Sequence, residues 1–493
     1  MLNNEKKFIW SGQSLATRLI KQSSSNILSK IDEKLYADTY IVGIALDNFK
    51  INIPLDEIFD KKIELLGYVT NTAKKNFDDN INSLTVSNSG YQISSIDKRF
   101  ELKRIMIINA FDNIVKQCSN GSDHVFFYSP PILINEHVIF AVMKFSQKIM
   151  NSYYTVGKNP IYNDHSIPRS FVESVIKIFL QRCSDTFQVS NKREKENVFQ
   201  HESDEILRNA GRMLMYIPTL ASKGKIGFKQ LFNICNSIST LKYEGSECAG
   251  QILIAKKSHL DINVSILFEK PISLTEYRAI RKLLEISTEK LALLSDSACV
   301  YGFGNIKNSY NENSEDIFTV AFKRQNSWTF SHDKNVMMQI IKGIPNLAKD
   351  KVKEYDLKGD IREIFKDISD EKINKLCSVI QEIIKEKKGT MLVVTDGALQ
   401  EAQRLEKQGI RIEPLELNSH TINNITKIDG AVLVDTSSNC YAIGVILDGL
   451  ASAKGTSSRG ARYNSAIRYV ESTNYQCFAV VVSEDGIIDI IKK

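Results

Sequence analysis

Two short stretches near the C-terminus carry the residue types of phosphate chemistry. Asp429-Gly430-Ala431 closes a polar stretch and opens an apolar run, and further on stands Ser458-Arg459-Gly460-Ala461-Arg462-Tyr463-Asn464-Ser465-Ala466. A carboxylate at the mouth of a strand can coordinate Mg2+ or Mn2+ while phosphate oxygens fill the remaining positions. A glycine-plus-arginine turn that opens a helix adds positive charge and N–H groups without intrahelical partners. Together they suit a metal-bound triphosphate. Each also has an ordinary reading: an Asp-Gly pair before a strand is a common turn, and arginines of a Gly-rich loop can simply cap solvent-facing carboxylates.

The elements that must position these residues follow from hydrophobic periodicity. The pattern predicts a helix at 371–387, a strand at 390–394, a helix at 398–408, a short strand at 410–412 and a short helix at 421–426. Strands at 429–435 and 441–447 come next, then a Gly/Ser-rich loop at 448–460 and a helix from Ala461. This order fits an α/β fold whose C-terminal part is a mixed sheet flanked by helices.

With the motifs in that order, 388–493 resembles the catalytic domain of diadenylate cyclases. The family's Asp-Gly-Ala motif appears as Asp429-Gly430-Ala431, and the hairpin that follows ends in Val445-Ile446-Leu447. The Gly-Thr-Arg-His-Arg motif has its counterpart in Gly460-Ala461-Arg462-Tyr463-Asn464, and the Val-Ser-Glu ending in Val482-Ser483-Glu484. The resemblance implies that two ATP are joined into cyclic di-AMP with release of pyrophosphate, with Mg2+ or Mn2+, where two such domains of a homo-oligomer face each other. It further implies that Asp429 binds the metal and poises the hydroxyl, that Gly430 and Ala431 lie against the nucleotide, and that Leu447 meets the adenine. Gly460, Arg462 and the helix start would hold phosphates, and Arg459, Ala461, Tyr463, Asn464 and Ser465 stand with them as nucleotide-binding positions. Ser483 and Glu484 would complete the phosphate and metal side, although Ser-Glu-Asp-Gly is also an ordinary hairpin turn.

Ala461, Tyr463 and Asn464 depart from the family's threonine, histidine and arginine. They remove a hydroxyl, a titratable ring and a fixed positive charge. Arg459, Lys454 and Arg468 are the cations that could compensate. The alternatives that remain are a domain that binds a nucleotide or cyclic dinucleotide without turnover, and a cyclase with a different product.

The rest of the chain sets the frame. Its 493 residues exceed one ordinary core, and 43% hydrophobic against 25% charged residues is the balance of a folded chain. The expected division is an α/β domain at 1–165, a second at 166–345, a charged helical connector at 346–370 and the cyclase-like domain at 371–493. A net charge of +6 on 64 basic and 58 acidic side chains gives no reason to expect nucleic acid. The eight cysteines lie in no metal or redox spacing, and no stretch has the length to span a bilayer, so a bacterial cytoplasm is the expected setting. The two upstream domains are expected to sense an unnamed small-molecule or protein signal. Within them the pattern predicts helices at 166–187 and 273–294 and a hairpin of strands 298–306 and 317–324. Trp328 is expected to be a partly buried ring fixing the next helix against the sheet.

Overall fold

The computed structural model describes residues 9–10, 12–78, 95–164, 166–188, 203–223, 230–288, 290–347, 354–385, 389–450, 460–482 and 488–493. The chain divides into two compact units, Met1–Ala348 and Lys349–Lys493.

The first unit holds two sheets. In one, the strand His137–Ser146 lies between Asp38–Ala45 and His124–Tyr128 and also pairs with Ile132–Ile134. Its central strand is apolar at nearly every position because both faces are covered. Val138, Phe140 and Val142 pack among Ile107, Phe111 and Ile114. Ile139, Ala141 and Met143 enter a second core shared with Val175, Ile206 and Phe232. That second core continues into an eight-stranded sheet in the order Ile344–Asn346, Asn335–Ile341, Ser327–His332, Phe318–Arg324, Gly250–Ile254, Ala292–Ser295, Cys299–Ile306 and Ile262–Ser273.

Several expectations need correction here. The helix expected at 166–187 starts at Phe171, because Ser170 Oγ accepts the Glu173 N–H at 3.1 Å while the Glu173 carboxylate accepts the Arg169 N–H at 3.0 Å. The helix expected at 273–294 is only Tyr277–Leu284. Ala292–Ser295 is instead a fully buried strand parallel to Gly250–Ile254. The expected hairpin does not form, since Phe318–Arg324 pairs with Gly250–Ile254 and Ser327–His332, while Cys299–Ile306 pairs with Ile262–Ser273 and Ala292–Ser295. Trp328 is fully buried, and the helix it meets is the preceding Gln230–Thr240, where its Nε1 donates to Asn236 Oδ1 at 2.8 Å. Glu315, 3% exposed, accepts the backbone N–H groups of Gly157, Lys158 and Asn159 at 2.7 to 3.1 Å, tying the segment after the first sheet to the second.

The second unit is a six-stranded mixed sheet in the order Ile410–Glu416, Asn439–Val445, Ala431–Val434, Thr390–Thr395, Cys477–Val482 and Ile488–Lys492. Its central strand Thr390–Thr395 runs parallel to Ala431–Val434, in the register Met391 to Ala431, and antiparallel to Cys477–Val482. Side chains alternate between two cores. Leu392, Val394, Val432 and Val480 meet Leu357, Ile361 and Ile380 of the helices Glu354–Ile364 and Asp370–Lys385. Met391, Val393, Ala431 and Leu433 meet Ala402, Ala466, Tyr469 and Val470 of the helices Ala398–Arg404 and Ala461–Ser472.

An ionic clasp fixes the chain as it leaves the strand Asn439–Val445. Arg404 donates to both oxygens of Asp448 at 2.7 and 2.8 Å and to both oxygens of Glu401, itself 4% exposed, at 2.9 and 2.8 Å. The Arg404 hydrogen bonds hold the Asp448 carboxyl below the usual carboxylate range.

Two outcomes are expected from this packing. Leu392→Ala, at a site with no exposed surface, lowers the unfolding free energy of the C-terminal unit by about 2 to 5 kcal/mol in urea titrations. Leu399→Ala, on a side chain 40% exposed, changes it by less than about 0.5 kcal/mol. Because the folded-state pKa of Asp448 is depressed, its contribution is present above the unfolded carboxylate pKa of about 3.9 and is lost as pH falls through the folded value. Asp448 is 40% exposed, so solvent screening keeps the effect to about 1 kcal/mol or less. The stability gap between wild type and Asp448→Asn is open at pH 7 and closes in acid.

Candidate functional site

The strand directions gather the candidate residues at one end of the C-terminal sheet. The parallel strands Thr390–Thr395 and Ala431–Val434 both begin there, so Asp429 and Gly430 lie at that end. Val445 pairs with Ala431 and Val482 with Thr390, which brings Ile446, Leu447 and the exit of the strand Cys477–Val482 to the same place. The helix Ala461–Ser472 starts there too, since Arg462 Nη2 donates to Asp429 Oδ1 at 2.6 Å.

Backbone strain fixes where Asp429 stands. Ala431 pairs with Val445 but Leu433 with Ala442, so the strand Asn439–Val445 carries an extra residue, a bulge. At the bulge Gly444 has φ +61° and Gly430 φ +113°, and a Cβ on Gly430 would fall 2.5 Å from the Gly444 carbonyl carbon. Only glycine meets both the positive φ and the close approach. Asp429 is therefore held against a fixed backbone while its side chain stays 85% exposed, its Oδ1 also accepting the Gly430 N–H at 3.1 Å.

The phosphate half is a helix start without a side-chain cap, because Gly460 occupies the N-cap position. Such a terminus directs N–H groups and the positive end of the helix dipole outward. Gly460 and Ala461 are exposed, and Arg462, Tyr463, Asn464 and Ser465 are half-buried. Arg468 bends back on its own helix, donating Nε to the Asn464 carbonyl at 3.2 Å and Nη2 to Ser465 Oγ at 3.4 Å. Lys454, Arg459, Ser483 and Glu484 lie outside the described residues.

Leu447 is 6% exposed and packs in the core with Ala431, Val445 and Ala466, whereas Ile446 beside it is 68% exposed. Of these two neighbours the one open to a ligand is Ile446, which the motif does not single out; the alternation of inward and outward positions along the strand does. The clasp of Glu401, Arg404 and Asp448 is a second feature the sequence hid, because Asp448 stands 44 residues from the Arg404 that holds it. A second Asp-Gly-Ala, Asp396-Gly397-Ala398, follows the far end of the central strand and is thus separated from Arg462 by the length of the sheet.

Among the described residues no group of three or more His, Cys, Asp or Glu side chains is placed to hold a metal ion. The donor set at Asp429 is one exposed carboxylate, which fits Mg2+ or Mn2+ brought by a nucleotide whose phosphates and waters supply the other ligands. Also among the described residues, no helix is long and apolar enough to cross a membrane.

Residues 378–493 match the family described as DisA bacterial checkpoint controller nucleotide-binding, the DAC domain. Upstream, 9–215 and 229–334 match two families described as probable sensor domains, DACNG and DACNH. No curated protein matches the chain. Among solved structures, the chain is similar to a variant of DacA from Staphylococcus aureus, with 22% identity over 25% of this chain and 81% of that one and a TM-score of 0.21. It is also similar to a hypothetical membrane spanning protein from Bacillus cereus, with 21% identity over 28% and 71% and a TM-score of 0.22. The C-terminal domain of this chain belongs to the DAC family, and two regions matching sensor-domain families precede it.

Proposed function

We propose that the C-terminal domain joins two ATP into cyclic di-AMP, releasing pyrophosphate, under control of the regions upstream. The observation that carries this reading is the meeting of Asp429 and Arg462 at the open end of the sheet, beside an uncapped helix start. In each of two steps a ribose 3′-oxygen forms a bond to the α-phosphorus of the other ATP, the bond from that phosphorus to the β-phosphate bridging oxygen breaks, and pyrophosphate leaves.

Asp429 holds and orients the 3′-hydroxyl and takes its proton as the O–H bond breaks and the oxygen attacks phosphorus. Arg462 and the helix N-terminus face the charge that grows on the phosphate oxygens. A nucleotide-borne Mg2+ or Mn2+, when bound, neutralises part of that phosphate charge. Ile446 offers an apolar surface to the base. One domain places its own nucleotide's phosphates but cannot supply the second hydroxyl, so the reaction needs two copies face to face. Ile428 and Ile446, 42% and 68% exposed beside Asp429 and Val445, provide apolar surface for such an encounter.

A second reading, binding without turnover, is favoured by one observation. Arg468 is engaged with Asn464 and Ser465 and does not replace the positive charge that Asn464 removes.

Mass spectrometry of the products from mixed nucleoside triphosphates with Mg2+ or Mn2+ separates these readings. Cyclic di-AMP and pyrophosphate are expected, with a rate per protein that rises with protein concentration. Asp429→Ala lowers the rate by about 10² or more, and Arg462→Ala by about 10² to 10³. Pyrophosphate with another product overturns the product assignment, and tight ATP binding without any product establishes the second reading.

A further inference from the structure

A cleft of about 310 Å³ lies between the helix Gln13–Ile31 and the start of the strand Asp38–Ala45, within the region that matches the DACNG family. Its helix wall is set by spacing: Lys21, Ser25 and Ser29 recur every fourth residue and share one face. At its floor Ser24 and Thr39, 3% and 4% exposed, bring their hydroxyls to 3.4 Å. Ser24 Oγ already donates to the Lys21 carbonyl at 2.9 Å, so the Thr39 hydroxyl is held by that one long contact. A buried hydroxyl so weakly satisfied keeps capacity for another partner.

The rim carries charge of both signs. Lys21 stands on the helix, Glu33 just past its end and Asp38 at the start of the strand, and none of the three forms an ion pair among the described residues. Tyr36, 65% exposed, and Tyr40 add aromatic surface. Two carboxylates against one ammonium call for a ligand with the reverse count, two cationic groups and one carboxylate. The volume is at the lower end for small-molecule sites, and tyrosine rings favour cations.

We infer that this cleft binds a dibasic α-amino acid, its α-carboxylate on Lys21, its cationic groups on Asp38 and Glu33, and its polar atoms on the Ser24 and Thr39 hydroxyls. Binding stands on the cleft alone. The consequence, that occupancy alters product formation by the C-terminal domain, rests on the function proposed above.

Isothermal titration of the full chain with L-arginine, L-lysine, agmatine and L-glutamate tests binding. L-Arginine or L-lysine binds, L-glutamate does not, and agmatine, which lacks the carboxylate, binds at least about tenfold more weakly. Asp38→Asn weakens L-arginine binding about tenfold or more, and Lys21→Gln weakens L-arginine but leaves agmatine unchanged. Unliganded melting temperatures equal to wild type show that the variants fold; should Asp38→Asn fail that check, Glu33→Gln takes its place with the same expected loss. Absence of binding by both dibasic amino acids at millimolar concentration, or binding indifferent to these substitutions, overturns the inference. Binding that leaves cyclic di-AMP formation by an active enzyme unchanged overturns its control of the C-terminal domain.

Discussion

The C-terminal unit depends on one strand that water reaches on neither face. Thr390–Thr395 is buried at all its positions, with successive side chains entering two separate cores. With both faces apolar, its register is set by packing: a one-residue slip would exchange Leu392 and Val394 with Met391 and Val393 between two close-packed cores of different shape. Its parallel pairing with Ala431–Val434 makes both strands start at one end. A parallel pair cannot be joined by a tight turn, and the connection between them runs back through the helix Ala398–Arg404, out along the strand Ile410–Glu416 and back again through the helix Ser419–Ile425. The gathering of Asp429, Ile446 and the strand end at Val482 is therefore a product of topology, with sequence distance playing no part.

At that end a firm constraint and a soft one lie side by side. The approach of Gly430 to Gly444 is between backbones and fixes the position of the aspartate to within the tolerance of the bulge. The Asp429 to Arg462 ion pair is short but its carboxylate is 85% exposed, and exposed pairs contribute only about 0 to 1 kcal/mol. The two charged groups are thus held near each other without being committed to each other. A phosphate and a cation arriving together can take each partner at little cost, which is what a site for a metal-bound nucleotide requires. The buried Glu401 and the exposed Arg404, reaching out to Asp448, fix the exit of the strand Asn439–Val445 as the bulge fixes the entry of the strand Ala431–Val434.

What the sequence made legible follows a physical division. The central strand, the helix start at Ala461 and the convergence of Asp429 with Arg462 were readable, because long apolar runs, a Gly-plus-Arg turn and an ordered set of motifs are local signals. The stretch 273–294 was not, since an apolar run of Leu291 to Leu294 suits a buried strand as well as a helix, and only its place beside Gly250–Ile254 decides. The expected hairpin failed for the same reason: two strands consecutive in the chain were each claimed by other partners in an eight-stranded sheet. Leu447 was matched by motif position, yet the alternation that buries it exposes Ile446. Arg459, Ser483 and Glu484 lie outside the described residues, so their part in the site rests on the resemblance.

The two Asp-Gly-Ala copies carry glycines that genetics would tell apart. At Gly397 φ is −98°, within reach of any residue, and a Cβ would meet the Tyr475 ring at 2.2 Å. That conflict is with a side chain, so a smaller residue at 475 can relieve it and a second-site suppressor of a Gly397 substitution should exist. At Gly430 the conflict is with the backbone of Gly444 and the φ is positive, and no side-chain replacement elsewhere removes either. Of two identical tripeptides in one domain, one therefore has room to drift as long as its neighbour drifts with it, and the other is closed to compensation.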